Sequence, residues 1–399
     1  MMNKNIKHLS QIAEKDSRRV IGLMSGTSLD GLDIALCKIK GSGHDTELEL
    51  EEFLTVPYKD DFKKEVKEVF SKTNINLQKL CLLNEWIAAI HAGIINDCLK
   101  KWNVANSSID LIASHGQTIF HSPKILHQQE KFGNATLQIG DGDHIAVATG
   151  IITISDFRQK HIAAGGEGAP LAVYGDSLLF SKKGEDRVLL NIGGIANFTY
   201  LPGNLNTNEI FSTDIGPGNT IMDAFMQQQY PGKYFDEDAA VAKQGKVNTS
   251  LLNALKENEF FGLAFPKSTG PESFNLDYLR DAIEKSSTTE ISVEDIMRTL
   301  NQFSADMIVE AIQKHFTGKT AVSIYCSGGG MHNPLLMQEL RDQLPGYGFY
   351  TTADLGINPD AKEAVLFALL ANECICGDAG IFSGGNIPAV SMGKISFPW

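Results

Sequence analysis

Nowhere in this 399-residue sequence do about 18 apolar residues run together, so no segment reads as a bilayer-spanning helix. Positive charge is short: 35 Lys and Arg against 48 Asp and Glu leave a formal net charge of −13. That balance speaks against a nucleic-acid backbone or an anionic membrane as the main partner. Cysteine is scarce as well. Cys37, Cys81, Cys98, Cys326, Cys374 and Cys376 sit in apolar runs without framework spacing, and Cys374-Ile375-Cys376 has no second ligand pair for zinc. Buried reduced thiols in a cytoplasmic protein are expected. The opening MMNKNIKHLSQIAEKDSRR lacks the apolar core of a secretion signal and reads as a partly ordered extension.

Several familiar motifs are missing. There is no HExxH and no GxSxG, which removes sequence support for zinc peptidases and α/β-hydrolases. Gly318-Lys319-Thr320 looks like the end of a P-loop, but Gln313 stands where its first glycine belongs. Gly166-Glu167-Gly168 fails the dinucleotide fingerprint at Leu171. What is present is an ordinary globular composition, 43% hydrophobic and 21% charged with 37 Gly and 13 Pro, long enough for two domains.

The apolar patterning gives those domains an order. Val20–Met24 and the alternating Leu32, Ile34 and Leu36 read as two strands around the turn Gly26-Thr27-Ser28-Leu29-Asp30-Gly31, and Leu48–Val56 as a third. Helical periodicity covers Phe62–Phe70 and Leu77–Trp102. Buried strands at 109–113 and 151–154 follow, the first leading into Ser114-His115-Gly116-Gln117-Thr118. The order then recurs: strand Val188–Ile192, the turn Gly193-Gly194, strand Ala196–Leu201, and a third strand ending at Asp214. Helices are expected at 220–229, 251–258, 293–316 and 361–374, with strand Val322–Cys326 running into Gly328-Gly329-Gly330. Two halves that each open on a glycine-turn hairpin indicate a duplicated α/β protein.

Each candidate site has a plain alternative. Gly26 to Asp33 offer backbone amides and two hydroxyls to an anion, with Asp30 or Asp33 placed for Mg²⁺; a hairpin turn needs the same residue types. Asp214 follows an apolar strand and precedes Gly216-Pro217-Gly218, a position for a general base; it is equally a helix cap. Gly328–Gly330 suits a ribose or ring against bare backbone, or a tight packing turn. His115 and Gln117 suit sugar hydroxyls or internal structure, with His121 weaker. Asp156 and Arg158 beside the glycine-rich 165–170 make a substrate clamp or a salt-bridged turn. Glu363 opens the last apolar helix, where an acid also offsets the helix dipole.

Taken together these segments resemble one family. GLMSGTSLDGLDIAL (22–36), SHGQTI (114–119), SDFR (155–158), AAGGEGAPLA (163–172), LLNIGGIANFT (189–199), DIGPGNTIMDAF (214–225), PKSTG (266–270), SGGGMHNPLLM (327–337) and GINPDAKEAVLFALLANE (356–373) are similar to anhydro-N-acetylmuramic acid kinases, in the same order. The resemblance implies a duplicated actin-like, ribonuclease H-like ATPase fold with two domains around a central cleft, 19–155 and 156–399, the last helix packing back on the first. It implies an ATP- and Mg²⁺-dependent kinase that opens 1,6-anhydro-N-acetylmuramic acid and phosphorylates its O6 in cell-wall recycling. It implies Asp214 as the catalytic base, and Gly26, Thr27, Ser28, Leu29, Asp30, Gly31, Leu32, Asp33, Gly193, Gly194, Gly328, Gly329 and Gly330 around ATP. His115, Gln117, Arg158 and Glu363 then fall to the sugar, Asp30 and Asp33 to the metal, and a homodimer is implied. The chain departs from the family's pattern at His161, where an Asp is usual, and at Glu167, Asp141 and Pro271. The alternatives are a kinase for a different anhydro-sugar and a non-catalytic, nucleotide-dependent sugar sensor.

Overall fold

The computed structural model describes residues 2–169, 171–270, 272–288, 290–316, 322–378 and 388–399. Pro170, Pro271 and Gly318–Thr320, named above, lie outside them. Strands β1 (Ser17–Ser25), β2 (Gly31–Lys40), β3 (Glu47–Pro57), β4 (Leu111–Ser122), β5 (Ala135–Ile139) and β6 (Thr153–Ser155) open the chain. β1, β2 and β3 form an antiparallel meander, and β4 then pairs parallel with β1 and β6 parallel with β4. The crossover from β3 to β4 is long enough for the 25-residue helix Leu77–Lys101, as a parallel pairing requires. β5 hangs off the end of β4, antiparallel.

The second set repeats the plan. β7 (Asp186–Ile192), β8 (Ile195–Leu201) and β9 (Phe211–Pro217) form an antiparallel meander, and β10 (Val322–Ser327) and β11 (Gly348–Thr351) are added parallel beyond β7. Spatial orders β6-β4-β1-β2-β3 and β11-β10-β7-β8-β9, with matching strand senses, are one topology used twice. The expected duplication of one α/β plan is therefore visible in the hydrogen-bond ladders themselves. β12 (Lys394–Ser396) returns to pair antiparallel with β6.

Packing divides the described chain into a unit of residues 1–181 and 356–399 and a unit of 182–355. Residues 156–181 lie with the first unit rather than beyond the expected boundary at 155/156. The helix Lys362–Cys376 also belongs there, packed on β1, β2 and β4. β1 is buried on both faces along Val20–Leu23, and Ile21, Ile34, Leu36, Ile87, Ile95 and Ile112 share its core. In the second unit the helix Val293–Phe316 supplies Leu300, Phe303, Ile308 and Ile312 to a core with Val188, Leu190, Phe198 and Ile324.

Three expectations are corrected. The N-terminal extension is ordered: Asn3 caps a helix at Lys4–Ala13, Ile12 is buried, and Asn5 Nδ2 donates to the Trp399 carbonyl at 2.7 Å. Cys81 is exposed and Cys374 and Cys376 are half-exposed, so only Cys37, Cys98 and Cys326 are buried thiols. The 114–118 segment does not follow a strand but lies inside β4, where Gly116 adopts φ 73°. Amphipathic period could not place it, because β4 is buried on both faces there.

Gly22 is the tightest point of the first unit. A Cβ on it would lie 1.9 Å from the Ala364 carbonyl oxygen, so the last helix rests directly on β1 backbone. Gly22→Ala should therefore destabilise the protein by about 1–3 kcal/mol through forced separation of helix and strand, read as a lower urea midpoint.

Candidate active site

In the first unit the turn from Gly26 to Asp30 joins β1 to β2. Leu29 holds φ 58° with its side chain buried, and this strained residue closes the turn, its N–H donating to the Gly26 carbonyl at 3.4 Å. Thr27 and Ser28 stay exposed. Ser28 Oγ donates to Asp30 Oδ1 at 2.7 Å, and Gly31 N–H donates to the same oxygen at 3.1 Å. Leu32 is buried, and Gly31 packs against the Val56 carbonyl.

Gln117 lies beneath this turn, fully buried. Its Oε1 accepts from Ser25 Oγ at 2.5 Å while its Nε2 reaches the Gly26 carbonyl at 3.3 Å. Tyr58 OH donates to Ser25 Oγ at 2.8 Å and lies 2.9 Å from His91 Nε2. Gln117, Ser25, Tyr58 and His91 thus form a buried chain under the turn. Ser25, Tyr58 and His91 were not legible as site residues, since each reads locally as an ordinary strand or helix position.

Asp33 points from β2 and accepts from Thr55 Oγ1 at 2.6 Å. Burial first, and then the charges of Asp30 and Asp360, raise its carboxyl, against the Thr55 bond. Glu363 keeps an exposed side chain, yet the protein crowded around it and the Asp33 charge raise its carboxyl as well. Among the described residues no three His, Cys, Asp or Glu side chains converge to cage a metal. Asp30 and Asp33 do fit Mg²⁺, which keeps waters and takes one or two carboxylates beside phosphate oxygens.

Arg158 stands between the sugar candidates. Its Nε donates to His115 Nε2 at 3.0 Å and its Nη1 to the Gly168 carbonyl at 2.7 Å. Burial lowers its affinity for a proton, and the Glu363 charge opposes that shift. His115 packs on Phe367, and burial followed by the Arg158 charge pushes its pKa down to about 3. His115 is therefore a neutral acceptor for Arg158. Asp156 pairs with Lys394 instead, the salt-bridged alternative for that turn. His121 is exposed. His161 is buried, its Nδ1 accepting from Gly168 N–H at 2.9 Å, and burial lowers its pKa to about 4.

In the second unit Asp214 occupies the middle of β9, where the β8–β9 register shifts between Ala196 and Asn197. Such a bulge re-aims a side chain. The helix-cap alternative fails: Asp214 Oδ2 accepts from Thr269 N–H at 2.8 Å, and Asn219 occupies the cap position of helix Thr220–Gln229. Burial raises the Asp214 carboxyl, and the Thr269 amide restrains that rise. The 266–270 segment was quoted above for its sequence, but no local signal showed that it lies along β9.

Three glycine turns meet beside the ends of β7 and β9. Gly218 N–H donates to the Gly194 carbonyl at 2.8 Å, and Asn219 N–H to the Gly193 carbonyl at 2.9 Å. A Cβ on Gly218 would lie 2.3 Å from Gly193 O, and one on Gly328 would lie 2.8 Å from Ile192 O. Gly330 packs on Ile192, while Gly194 and Gly329 remain exposed. Gly193, Gly194, Gly328, Gly329 and Gly330 are thus brought together as bare backbone, the surface a nucleotide accepts.

A family model described as anhydro-N-acetylmuramic acid kinase matches residues 18–394. An anhydro-N-acetylmuramic acid kinase of Pseudoalteromonas atlantica is 56% identical over 400 residues, with 100% of each chain covered. One of Caldanaerobacter subterraneus subsp. tengcongensis is 40% identical over 393 residues, covering 97% of this chain and 99% of its own. Among solved structures, (R)-2-hydroxyglutaryl-CoA dehydratase component A of Acidaminococcus fermentans aligns at 11% identity and a TM-score of 0.39, covering 90% of this chain and 99% of that one.

His91, His115 and His161 are neutral in the folded state, with pKa values lowered to about 4, about 3 and about 4 from 6.5. Unfolding lets them take up protons that the folded protein refuses. Their stabilising contribution is complete above about pH 6.5 and is lost as the pH falls toward their folded values. Urea unfolding should therefore show stability falling between pH 6.5 and 4.5, with a shallower slope in His91→Gln.

Proposed function

The chain belongs to the anhydro-N-acetylmuramic acid kinase family, and from that membership we propose that it converts 1,6-anhydro-N-acetylmuramic acid, ATP and water to N-acetylmuramic acid 6-phosphate and ADP. The observation that carries the chemistry is Asp214, a half-buried carboxylate with one oxygen tied to a backbone amide and a proton affinity raised by burial. A base needs that fixed aim and that raised affinity. A nucleotide-switched sensor has no use for either.

Asp214 takes a proton from water as the water oxygen bonds the anomeric carbon. The bond from that carbon to O6 breaks, its electron pair passes to O6, and O6 attacks the γ-phosphorus with departure of ADP. Arg158, held by the Gly168 carbonyl and His115, orients the acidic sugar together with Glu363. Gln117 acts one layer back, fixing the Gly26 turn that receives phosphate oxygens. Gly193, Gly194 and Gly328–Gly330 take the nucleoside. Asp30 and Asp33 would hold Mg²⁺, which when bound neutralises phosphate charge. A cytoplasmic location, a homodimer and a role in cell-wall recycling accompany this reading on family resemblance.

A different anhydro-sugar is the second reading, favoured by His161, which grips Gly168 beside Arg158 where the family usually has an Asp. ATP turnover that ignores 1,6-anhydro-N-acetylmuramic acid but responds to another anhydro-sugar would select it.

In ¹⁸O-water the label should appear at the anomeric oxygen of the product. Asp214→Asn should bind both substrates yet lose at least about a hundredfold in turnover. Because Asp214 must be ionised, kcat/KM should rise with pH through a limb lying above the ordinary aspartate value of about 3.9. Full turnover in Asp214→Asn refutes the assignment.

A further inference from the structure

The reading of Asp214 as the base leaves one group in its surroundings unused. Segment 267–269 lies along β9: Lys267 N–H donates to Thr213 Oγ1 at 3.0 Å, Asp214 N–H to the Lys267 carbonyl at 2.9 Å, and Thr269 N–H to Asp214 Oδ2. The Lys267 side chain turns away from the carboxylate. Its Nζ donates to the Phe260 carbonyl at 2.8 Å and lies 4.2 Å from the Phe260 ring centroid, 5.3 Å from that of Phe265 and 5.9 Å from that of Phe261. Among the described residues no carboxylate pairs with it.

An ammonium in such a cage is bound by ring faces and carbonyl dipoles; the first attraction is lost and the second weakened if the charge is lost. The cage also ties 267–269 to the short helix Glu259–Gly262, whose Phe261 packs on Phe303 of the helix 293–316. The amide at Thr269 is therefore held at a fixed height beside Asp214 by an anchor only two residues away.

We propose that Lys267 is a positioning residue for Asp214, its caged ammonium fixing the backbone whose Thr269 amide aims and stabilises the catalytic carboxylate. The proposal rests on the assignment of Asp214 above. It has two independent pH signatures. Losing the anchor weakens the one bond that restrains the proton affinity of Asp214, so the acid limb moves up. Losing the charge by deprotonation releases the anchor, so the wild-type rate falls at alkaline pH. Burial first, and then the Lys314 charge, lower the Lys267 pKa to about 8. The other charged or titratable groups facing the cage are Lys314 and His315 of the helix 293–316, against Phe265.

The experiment compares Lys267→Met and Lys267→Arg with the full-length wild type across pH 4.5–9.5. Met keeps the apolar contacts, so folding is preserved, and ATP affinity measured by calorimetry should stay within about twofold. Lys267→Met should lose about tenfold in kcat, with its acid limb raised by about half a pH unit or more. Lys267→Arg should recover most of the rate and lack the alkaline limb near pH 8. An unchanged kcat and acid limb in Lys267→Met overturns the proposal. So does a loss of rate that tracks a lowered melting temperature with the acid limb unmoved. Asp214→Asn separates the premise: its collapse beside an unaffected Lys267→Met sinks the positioning role alone, whereas its retained turnover sinks the base assignment.

Discussion

Backbone lying directly on backbone is the constraint on which both units depend. In the first, the Ala364 carbonyl oxygen occupies the space a side chain on Gly22 would need. In the second, Gly218 rests on Gly193 and Gly328 on Ile192. Glycine is demanded at these places by contact rather than by turn conformation alone, and in the second unit the contacts bring peptide dipoles to the ends of β7 and β9. The glycine turns of the second unit thus combine close packing at Gly218 and Gly328 with exposed backbone at Gly194 and Gly329. The same absence of side chains leaves the backbone at Gly194 and Gly329 open to solvent.

Electrostatics in the first unit follow from the acid surplus of the chain. After burial, the charges of Asp30 and Asp360 raise the Asp33 carboxyl, the Asp33 charge raises that of Glu363, and Lys362 and then Arg158 are the cations set against Glu363. The nearby histidines add no positive charge, because burial keeps His91, His115 and His161 neutral. His115 and His161 serve instead as acceptors, one for the Arg158 guanidinium and one for the Gly168 amide. Arg158 is consequently held in place by uncharged partners, His115 and the Gly168 carbonyl.

Much of this was legible in the sequence wherever the signal is local. The two glycine-turn meanders and the helices at 220–229 and 293–316 follow from apolar period and turn residues over a few neighbours, whereas Asp214, expected at the end of its strand, lies in the middle of β9 because the strand runs on through Ile215-Gly216-Pro217. What was not legible is long-range. The segment 266–269 shows its purpose only once it lies against β9, and Ser25, Tyr58 and His91 meet across β1, β3's exit and the helix Leu77–Lys101. The expected domain boundary differs from the packing for the same reason. Strand and helix patterns identify elements, but the side on which residues 156–181 pack is decided by partners far along the chain.

The return of the last residues to the first sheet has a consequence for how the molecule is made. β12 covers the edge of β6, and the helix Lys362–Cys376 covers β1, β2 and β4, so the unit holding β1–β6 lacks both an edge and a roof until residues 362–396 have been made. The unit 182–355 is contiguous and meets no such delay. On the ribosome the order of folding should therefore run against the order of synthesis, with the middle of the chain reaching protease resistance before its beginning.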